Sequence, residues 1–134
     1  MALLPVVSLE HVGIASRSSR SWLADAVAGE PLHGTVMPSG VAVAHFGPAD
    51  QLELLWPHRE GSPIDRFLER RGPGLHHVSL RVDVPLAGLV ETLKGSGVDT
   101  TGAIERSADG RLSVFLHPSC TDGVLVELVE GPRP

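Results

Sequence analysis

The chain has 134 residues, of which 42% are hydrophobic and 20% are charged, and its formal net charge is −5. This composition is typical of a soluble globular domain and excludes an intrinsically disordered chain. The acidic balance, with no run of Lys or Arg, argues against a nucleic-acid-binding surface. No apolar stretch is long enough to span a membrane and the first residues lack the basic region of a signal peptide, so we expect a cytoplasmic protein.

The first half of the chain is predicted to contain a strand, a helix and three further strands. Residues 8–16 alternate in polarity as a strand does, and residues 18–31 have the spacing of a short helix with Ser18 or Ser19 as its N-cap. The expected apolar face of that helix consists of Trp22, Leu23, Ala26 and Val27. Three strand segments follow at residues 31–37, 40–46 and 51–56. The predicted order is βαβββ.

The second half repeats this order after a connector. Residues 62–72 are predicted to form a connector helix, because Ser62 suits its N-cap and Gly72 its end. Beyond it, residues 76–82 read as a strand and residues 83–97 as a helix, and three strand segments follow at 98–104, 110–118 and 123–130. We therefore expect a single α+β domain with one module over residues about 8–57 and another over about 75–130. Paired modules of this kind would form an open, curved mixed β-sheet.

A histidine opens the first strand of each predicted module, and a glutamate interrupts the apolar run of its last strand. The two pairs are His11 with Glu53 and His77 with Glu127. If the modules pair, the four side chains converge around one point. Two imidazoles and two carboxylates make a nitrogen and oxygen site that suits one divalent metal ion such as Co, Mn, Ni, Fe or Zn.

The internal repeat also separates candidate ligands from the other histidines and the arginines. His76 adjoins His77, and because neighbours on a strand point to opposite faces, only one of them can reach the site; the analogy with His11 selects His77. The histidines without an internal counterpart are interpreted as surface groups or as groups that support the ligands: His33, His45, His58 and His117. The arginines are interpreted as solvated charges, some of which could meet an anionic ligand: Arg20, Arg59, Arg66, Arg70, Arg71 and Arg111.

Five stretches of the chain carry a resemblance to a known family. They are HVGIA, LELLWP, SPIDRFLERRGPGLHHVSLRV, VFLHP and GVLVELVE, in this order over nearly the whole chain. Together they resemble the vicinal oxygen chelate superfamily and, within it, the methylmalonyl-CoA epimerases. The resemblance implies paired βαβββ units around a divalent metal, with cobalt favoured. It places the metal ligands at His11, Glu53, His77 and Glu127.

The resemblance also implies an activity, the inversion of C2 of methylmalonyl-CoA through a metal-stabilised enolate. Glu127 and Glu53 are then candidate catalytic groups as well as ligands, because a carboxylate beside the metal lies close to a chelated substrate. Two residues depart from the family pattern. Val43 stands where some epimerases carry a glutamate proposed to act in proton transfer, and Ser119 stands where a lysine is common.

Other functions stay open at this point. Another metal-dependent enzyme of the superfamily, such as a glyoxalase or a lyase-like isomerase, would use the same site on a different substrate. A non-enzymatic small-molecule-binding module of this fold would lack a competent metal centre, which the four His and Glu residues argue against. The expected partner is an acyl-CoA, with no nucleic acid and no membrane, and a homodimer is left open.

Overall fold

The computed structural model describes residues 2–134, which contain three α-helices and eight β-strands. The first half comprises β1 (Val6–Ala15), α1 (Trp22–Ala28), β2 (Thr35–Val36), β3 (Val41–Phe46) and β4 (Leu52–Pro57). After α2 (Pro63–Arg71), the second half comprises β5 (Gly74–Val82), α3 (Leu86–Gly95), β6 (Glu105–Arg106), β7 (Leu112–Leu116) and β8 (Val126–Glu130). The predicted repeat of βαβββ is confirmed.

The strands of residues 2–134 form one mixed sheet in the order β2-β3-β4-β1-β5-β8-β7-β6. In each half the first strand runs parallel to the last, so that Gly13 lies opposite Glu53 and Ser79 lies opposite Glu127. The other strand pairs within each half are antiparallel. The expected α+β class with a mixed sheet is therefore confirmed. Parallel pairing of first and last strands is what brings each histidine-bearing strand beside its glutamate-bearing strand.

The chain divides into two compact units. One joins the chain up to Glu10 to His77–Pro134, and the other is His11–His76. The module limits expected from the sequence stay a prediction about domain organisation. Within residues 2–134, neither unit contains a helix with the length and apolar character needed to cross a membrane.

Each unit has its own apolar core. In the unit with His77–Pro134, the stripe of α3 packs against Leu128 of β8 and its neighbours. In the unit His11–His76, Leu54 packs with Ala24 of α1, whereas Leu55 packs with Ile64 of α2. Consecutive residues of a strand point to opposite faces, so α1 and α2 cover opposite faces of β4.

The helix α1 begins later than the sequence predicts and buries a different face. The hydroxyl of Ser21, rather than that of Ser18 or Ser19, accepts a hydrogen bond of 3.0 Å from the Ala24 N–H. Ser18 instead bonds the backbone two residues ahead in a local turn. The four residues of the predicted apolar face are all exposed: Trp22, Leu23, Ala26 and Val27. The buried residue of this seven-residue helix is Ala24, which packs with Phe46 and Leu54 of the sheet.

The connector helix α2 forms as predicted. The Ser62 hydroxyl accepts a hydrogen bond of 3.3 Å from the Asp65 N–H, and Pro63 occupies the first turn, where no backbone donor is needed. Gly72 ends the helix at a φ of 72°, and its N–H donates to the carbonyl of Leu68. A residue with a Cβ adopts that left-handed conformation only at a cost, so glycine suits the position.

Two predicted strands differ from the structure: one is shorter than predicted, and the other does not form. Of residues 31–37, only Thr35–Val36 pairs as a strand. Residues 98–104 form no strand, and a single bridge at Thr100 is their one ladder contact among the described residues. The Thr100 hydroxyl instead donates to a carbonyl two residues ahead at 2.8 Å. Such local side-chain bonds compete with strand pairing, and apolar alternation alone does not reveal them.

Arg111 is not the solvated charge that the sequence suggests. Its side chain is only 11% exposed and pairs with Glu10 at 2.9 Å and with Asp109 at 2.8 Å. It also donates to the carbonyl of Gly131 at 2.8 Å, and Arg133 pairs with the second carboxylate oxygen of Glu10. Burial by itself would raise the pKa of Glu10, but the hydrogen bonds and charges of the two arginines outweigh it and lower that pKa.

Acid should weaken the protein through this network. The pKa of Asp109 is lowered as well, because the hydrogen bonds from Arg111 and Ser107 outweigh the effect of burial. Groups with lowered folded-state pKa values contribute stability that is fully present above their unfolded pKa of about 4 and is lost as pH falls through the folded values. Arg111→Met should cost about 1.5–3 kcal/mol near neutral pH and make the loss in acid shallower. Urea unfolding of both proteins across the acid range measures these effects.

An exposed ion pair provides the control for this prediction. Arg20 pairs with Asp25 at 3.2 Å, and its side chain is 66% exposed. Arg20→Met should therefore change the free energy of unfolding by less than about 1 kcal/mol. If Arg111→Met showed the same small change and the same acid profile as wild type, the network would not stabilise the fold.

Candidate metal centre

His11 and Glu53 lie side by side on parallel strands of the unit His11–His76. Gly13 is the register partner of Glu53, and His11 lies two residues earlier on the same face of β1. The His11 Nε2 atom is 3.2 Å from the Glu53 Oε2 atom. Both side chains are buried. The strand register therefore places a predicted histidine beside the predicted glutamate of the same module.

The surroundings of Glu53 follow from alternation along β4. Leu54 points to the face that α1 covers, whereas Glu53 shares the opposite face with Leu55. On that face, Leu55, two residues along the strand from the glutamate, packs with Ile64 of α2. A buried carboxylate with apolar neighbours is stable only when cations or hydrogen-bond donors meet it. Glu53 therefore lies where a metal ion would be favourable.

His45 contacts Glu53, a partner that the sequence did not predict for it. It is the antiparallel register partner of Glu53, and its Nε2 atom lies 2.8 Å from the Glu53 Oε2 atom. Its ring centroid is 5.3 Å from that of His11. The interpretation of His45 as a group that supports a ligand is thus compatible with its contacts. The alternation of β3 indicates which residues share a face with His45. Only the register with β4 shows that His45 lies opposite Glu53.

The other half of the predicted site lies in the unit with His77–Pro134. The His77 Nε2 atom is 3.8 Å from the Glu127 Oε1 atom, and both residues are buried. Phe115 packs its ring edge-on against His77 at 5.3 Å between centroids. The position of the His77 ring is thereby limited on one side. The sequence assigned both residues to the site, and the structure brings them close together.

A buried hydroxyl beside Glu127 is compatible with a further ligand at this half of the site. Ser79 follows His77 on the same face of β5 and lies opposite Glu127 in the strand register. It is fully buried, and its Oγ atom has no hydrogen-bond partner within residues 2–134. Buried polar atoms are rarely left unsatisfied in native proteins. A bound oxygen, from water or from a substrate, would satisfy this one.

His76 and His77 separate as strand alternation predicts. His77 is 2% exposed, whereas His76 is half-buried and packs edge-on against Phe67 of α2 at 4.8 Å. His76 therefore packs against a helix residue, while His77 contacts Glu127. The selection of His77 by analogy with His11 agrees with these contacts.

The two departures from the family pattern have clear local environments. Val43 is buried in the apolar cluster that α2 forms with Leu55, so no carboxylate is present at that position of β3. Ser119 lies in a short 3₁₀ turn, and its Oγ atom is 2.7 Å from the Nδ1 atom of His117. Both residues are accommodated by the fold. Neither supplies the charge that the family residue would carry.

In the described residues, each compact unit holds one buried histidine beside one buried glutamate. His11 lies beside Glu53 in one unit, and His77 lies beside Glu127 in the other. Imidazole nitrogens and carboxylate oxygens are donors that first-row divalent metals accept. The chemistry of the residues present therefore fits a metal, and ligation by all four predicted residues stays a prediction.

The sequence and fold of this chain are similar to those of several known proteins. No family model matches the chain. It is 34% identical over 128 residues to the ethylmalonyl-CoA/methylmalonyl-CoA epimerase of Cereibacter sphaeroides, covering 93% of this chain and 91% of that protein. The crystal structure of methylmalonyl-CoA epimerase from Mycobacterium tuberculosis matches with a TM-score of 0.81 and 33% identity, over 98% of this chain and 93% of that one. A methylmalonyl-CoA epimerase in complex with methylmalonyl-CoA and NH4+ matches with a TM-score of 0.78 and 28% identity, over 94% and 95% of the two chains.

Two βαβββ halves, each with a histidine on its first strand and a glutamate on its last, are the architecture expected of a vicinal oxygen chelate protein. The sequence identity to the relatives, and the share of both chains that it covers, then identify one family within this superfamily. The chain belongs to the methylmalonyl-CoA epimerase family of that superfamily. The resemblance drawn from the sequence motifs is confirmed.

Proposed function

We propose that this protein is a metal-dependent isomerase that inverts C2 of methylmalonyl-CoA. The observation that carries the proposal is family membership, since relatives at 34% and 31% identity over more than nine-tenths of the chain are named as methylmalonyl-CoA epimerases. A related solved structure holds methylmalonyl-CoA. This supports an acyl-CoA as the substrate here.

The metal would be held by His11, Glu53, His77 and Glu127. Support for this set comes from the short distances within each histidine and glutamate pair and from the burial of all four side chains. Cobalt is favoured by the family resemblance, and Mn, Ni, Fe and Zn accept the same donors. When bound there, a divalent ion would supply positive charge that favours loss of the C2 proton.

The chain itself must supply a base and an acid. The C2–H bond is flanked by a thioester carbonyl and a carboxylate, so the electron pair left by the proton delocalises into an enolate. Return of a proton to the opposite face gives the other epimer, and no atom is gained or lost. Glu127 and Glu53 are the proposed proton carriers, since an ionised carboxylate accepts a proton and can then donate it.

The proposal predicts exchange of the C2 proton with solvent. Metal-loaded protein incubated with one epimer in D₂O should incorporate deuterium at C2 while the epimer ratio moves to equilibrium. Protein stripped with a chelator should do neither until metal is restored. Mass spectrometry follows the deuterium, and chromatography or coupled assay follows the epimers.

A different outcome would favour another enzyme of the superfamily. If metal-replete protein left both epimers unchanged and turned over a hemithioacetal, the assignment as an epimerase would fail, and a glyoxalase-like activity would replace it. The apolar environment of Val43 is the observation that favours this alternative, because this position lacks the proton-transfer glutamate of some epimerases.

A further inference from the structure

We propose that His45 is a positioning residue that holds the carboxylate of Glu53 in the orientation needed to bind the metal. The inference rests on the proposed metal site and adds to it a residue of β3. The carrying observation is the contact of 2.8 Å between His45 Nε2 and Glu53 Oε2, between residues that are direct register partners.

The chemistry of the two groups decides which of them donates the hydrogen bond. An ionised carboxylate only accepts hydrogen bonds, so the Nε2 atom of His45 carries the hydrogen and donates it. The same Glu53 oxygen lies 3.2 Å from the Nε2 atom of His11. A metal-bound nitrogen carries no hydrogen, so His11 cannot donate to Glu53 if its Nε2 atom binds the ion. His45 still can, and its bond would persist in the metal-loaded protein.

The exposure of the two side chains favours a positioning role for His45 rather than ligation. The side chain of His45 is 30% exposed, whereas that of Glu53 is 9% exposed. His45 thus lies at the outer side of the glutamate, where a donor can limit rotation of the carboxylate.

The pairing of β3 with β4 holds the backbone on both sides of this contact. β3 and β4 pair over six residues on each side, from Val41 opposite Pro57 to Phe46 opposite Leu52. The His45 ring also packs against that of His11 at 56° between the ring planes. Partners that orient a ligand in this way typically contribute about 10- to 100-fold to metal affinity.

Three variants test the inference in the full-length protein. His45→Ala removes the donor, His45→Gln keeps an N–H donor without the imidazole, and His58→Ala removes an exposed histidine near the end of β4 as the control. Co²⁺ affinity is measured by calorimetry, and the visible spectrum of the Co²⁺ protein reports the ligand geometry. Thermal unfolding of the metal-free proteins checks that each variant folds.

We expect His45→Ala to bind Co²⁺ about 10- to 100-fold more weakly, with an altered spectrum. His45→Gln should recover most of the affinity, and His58→Ala should match wild type. If wild type bound Co²⁺ and His45→Ala bound it equally well with the same spectrum, the positioning role would be refuted while the metal site stood. If wild type itself bound no metal ion, the proposed metal site would fail first.

Discussion

Replacing His77 by Ala should abolish tight metal binding and epimerase activity together. The imidazole is 2% exposed and its Nε2 atom lies 3.8 Å from the Glu127 carboxylate, and alanine has no atom that could replace that nitrogen as a ligand. Loss of a group that merely orients a ligand costs about 10- to 100-fold, and we expect loss of the ligand itself to cost at least about 100-fold in affinity. Metal content after dialysis and the rate of C2 deuteration measure the two losses.

His76→Ala is the matched control, because it changes the adjacent residue on the opposite face of the same strand. It removes the contact with Phe67 and should lower the thermal stability modestly while leaving the metal in place. His77→Ala also removes the packing of His77 against Phe115, which could destabilise the fold. Thermal unfolding of the His77→Ala protein therefore distinguishes loss of metal from loss of fold. A folded His77→Ala protein that retained a full equivalent of metal would remove His77 from the ligand set.

Glu127→Gln should slow proton removal from C2 by about 10²- to 10⁴-fold, the usual contribution of a general acid or base. The amide keeps the size of the side chain and a carbonyl oxygen that can contact a metal, but it cannot accept the proton at neutral pH. The contact of 3.8 Å with His77 places the carboxylate beside the proposed site. Single-turnover deuterium exchange and metal content, measured on the same sample, separate the loss of the base from the loss of the ion.

Glu105→Gln makes the same chemical change on the exposed strand β6 and should leave both measurements unchanged. Undiminished exchange in Glu127→Gln would transfer the role of base to Glu53 or to a bound water. Loss of metal together with exchange would instead show that the Glu127 carboxylate is needed as a ligand before its role in proton transfer can be measured. The three outcomes therefore distinguish the two proposed roles of Glu127.

Local patterns in the sequence were sufficient to predict the order of elements and to nominate four ligands, whose binding of a metal stays a prediction. Polar alternation indicates a strand whatever lies beside it, because successive side chains point to opposite faces. The connector helix could be placed because Ser62 and Gly72 act on the backbone of their own segment. The internal repeat then paired His11 with Glu53 and His77 with Glu127 without knowledge of any contact.

Features that depend on the register between distant segments were decided only by the tertiary structure. His45 contacts Glu53 because β3 and β4 are aligned so that these residues lie opposite each other, and a shift of one residue would turn His45 to the other face. Arg111 meets Glu10 across 101 residues of chain, so its burial had no local signal. The sequence therefore determined which side chains could do chemistry, and strand pairing decided which of them touch, because contacts follow register rather than spacing along the chain.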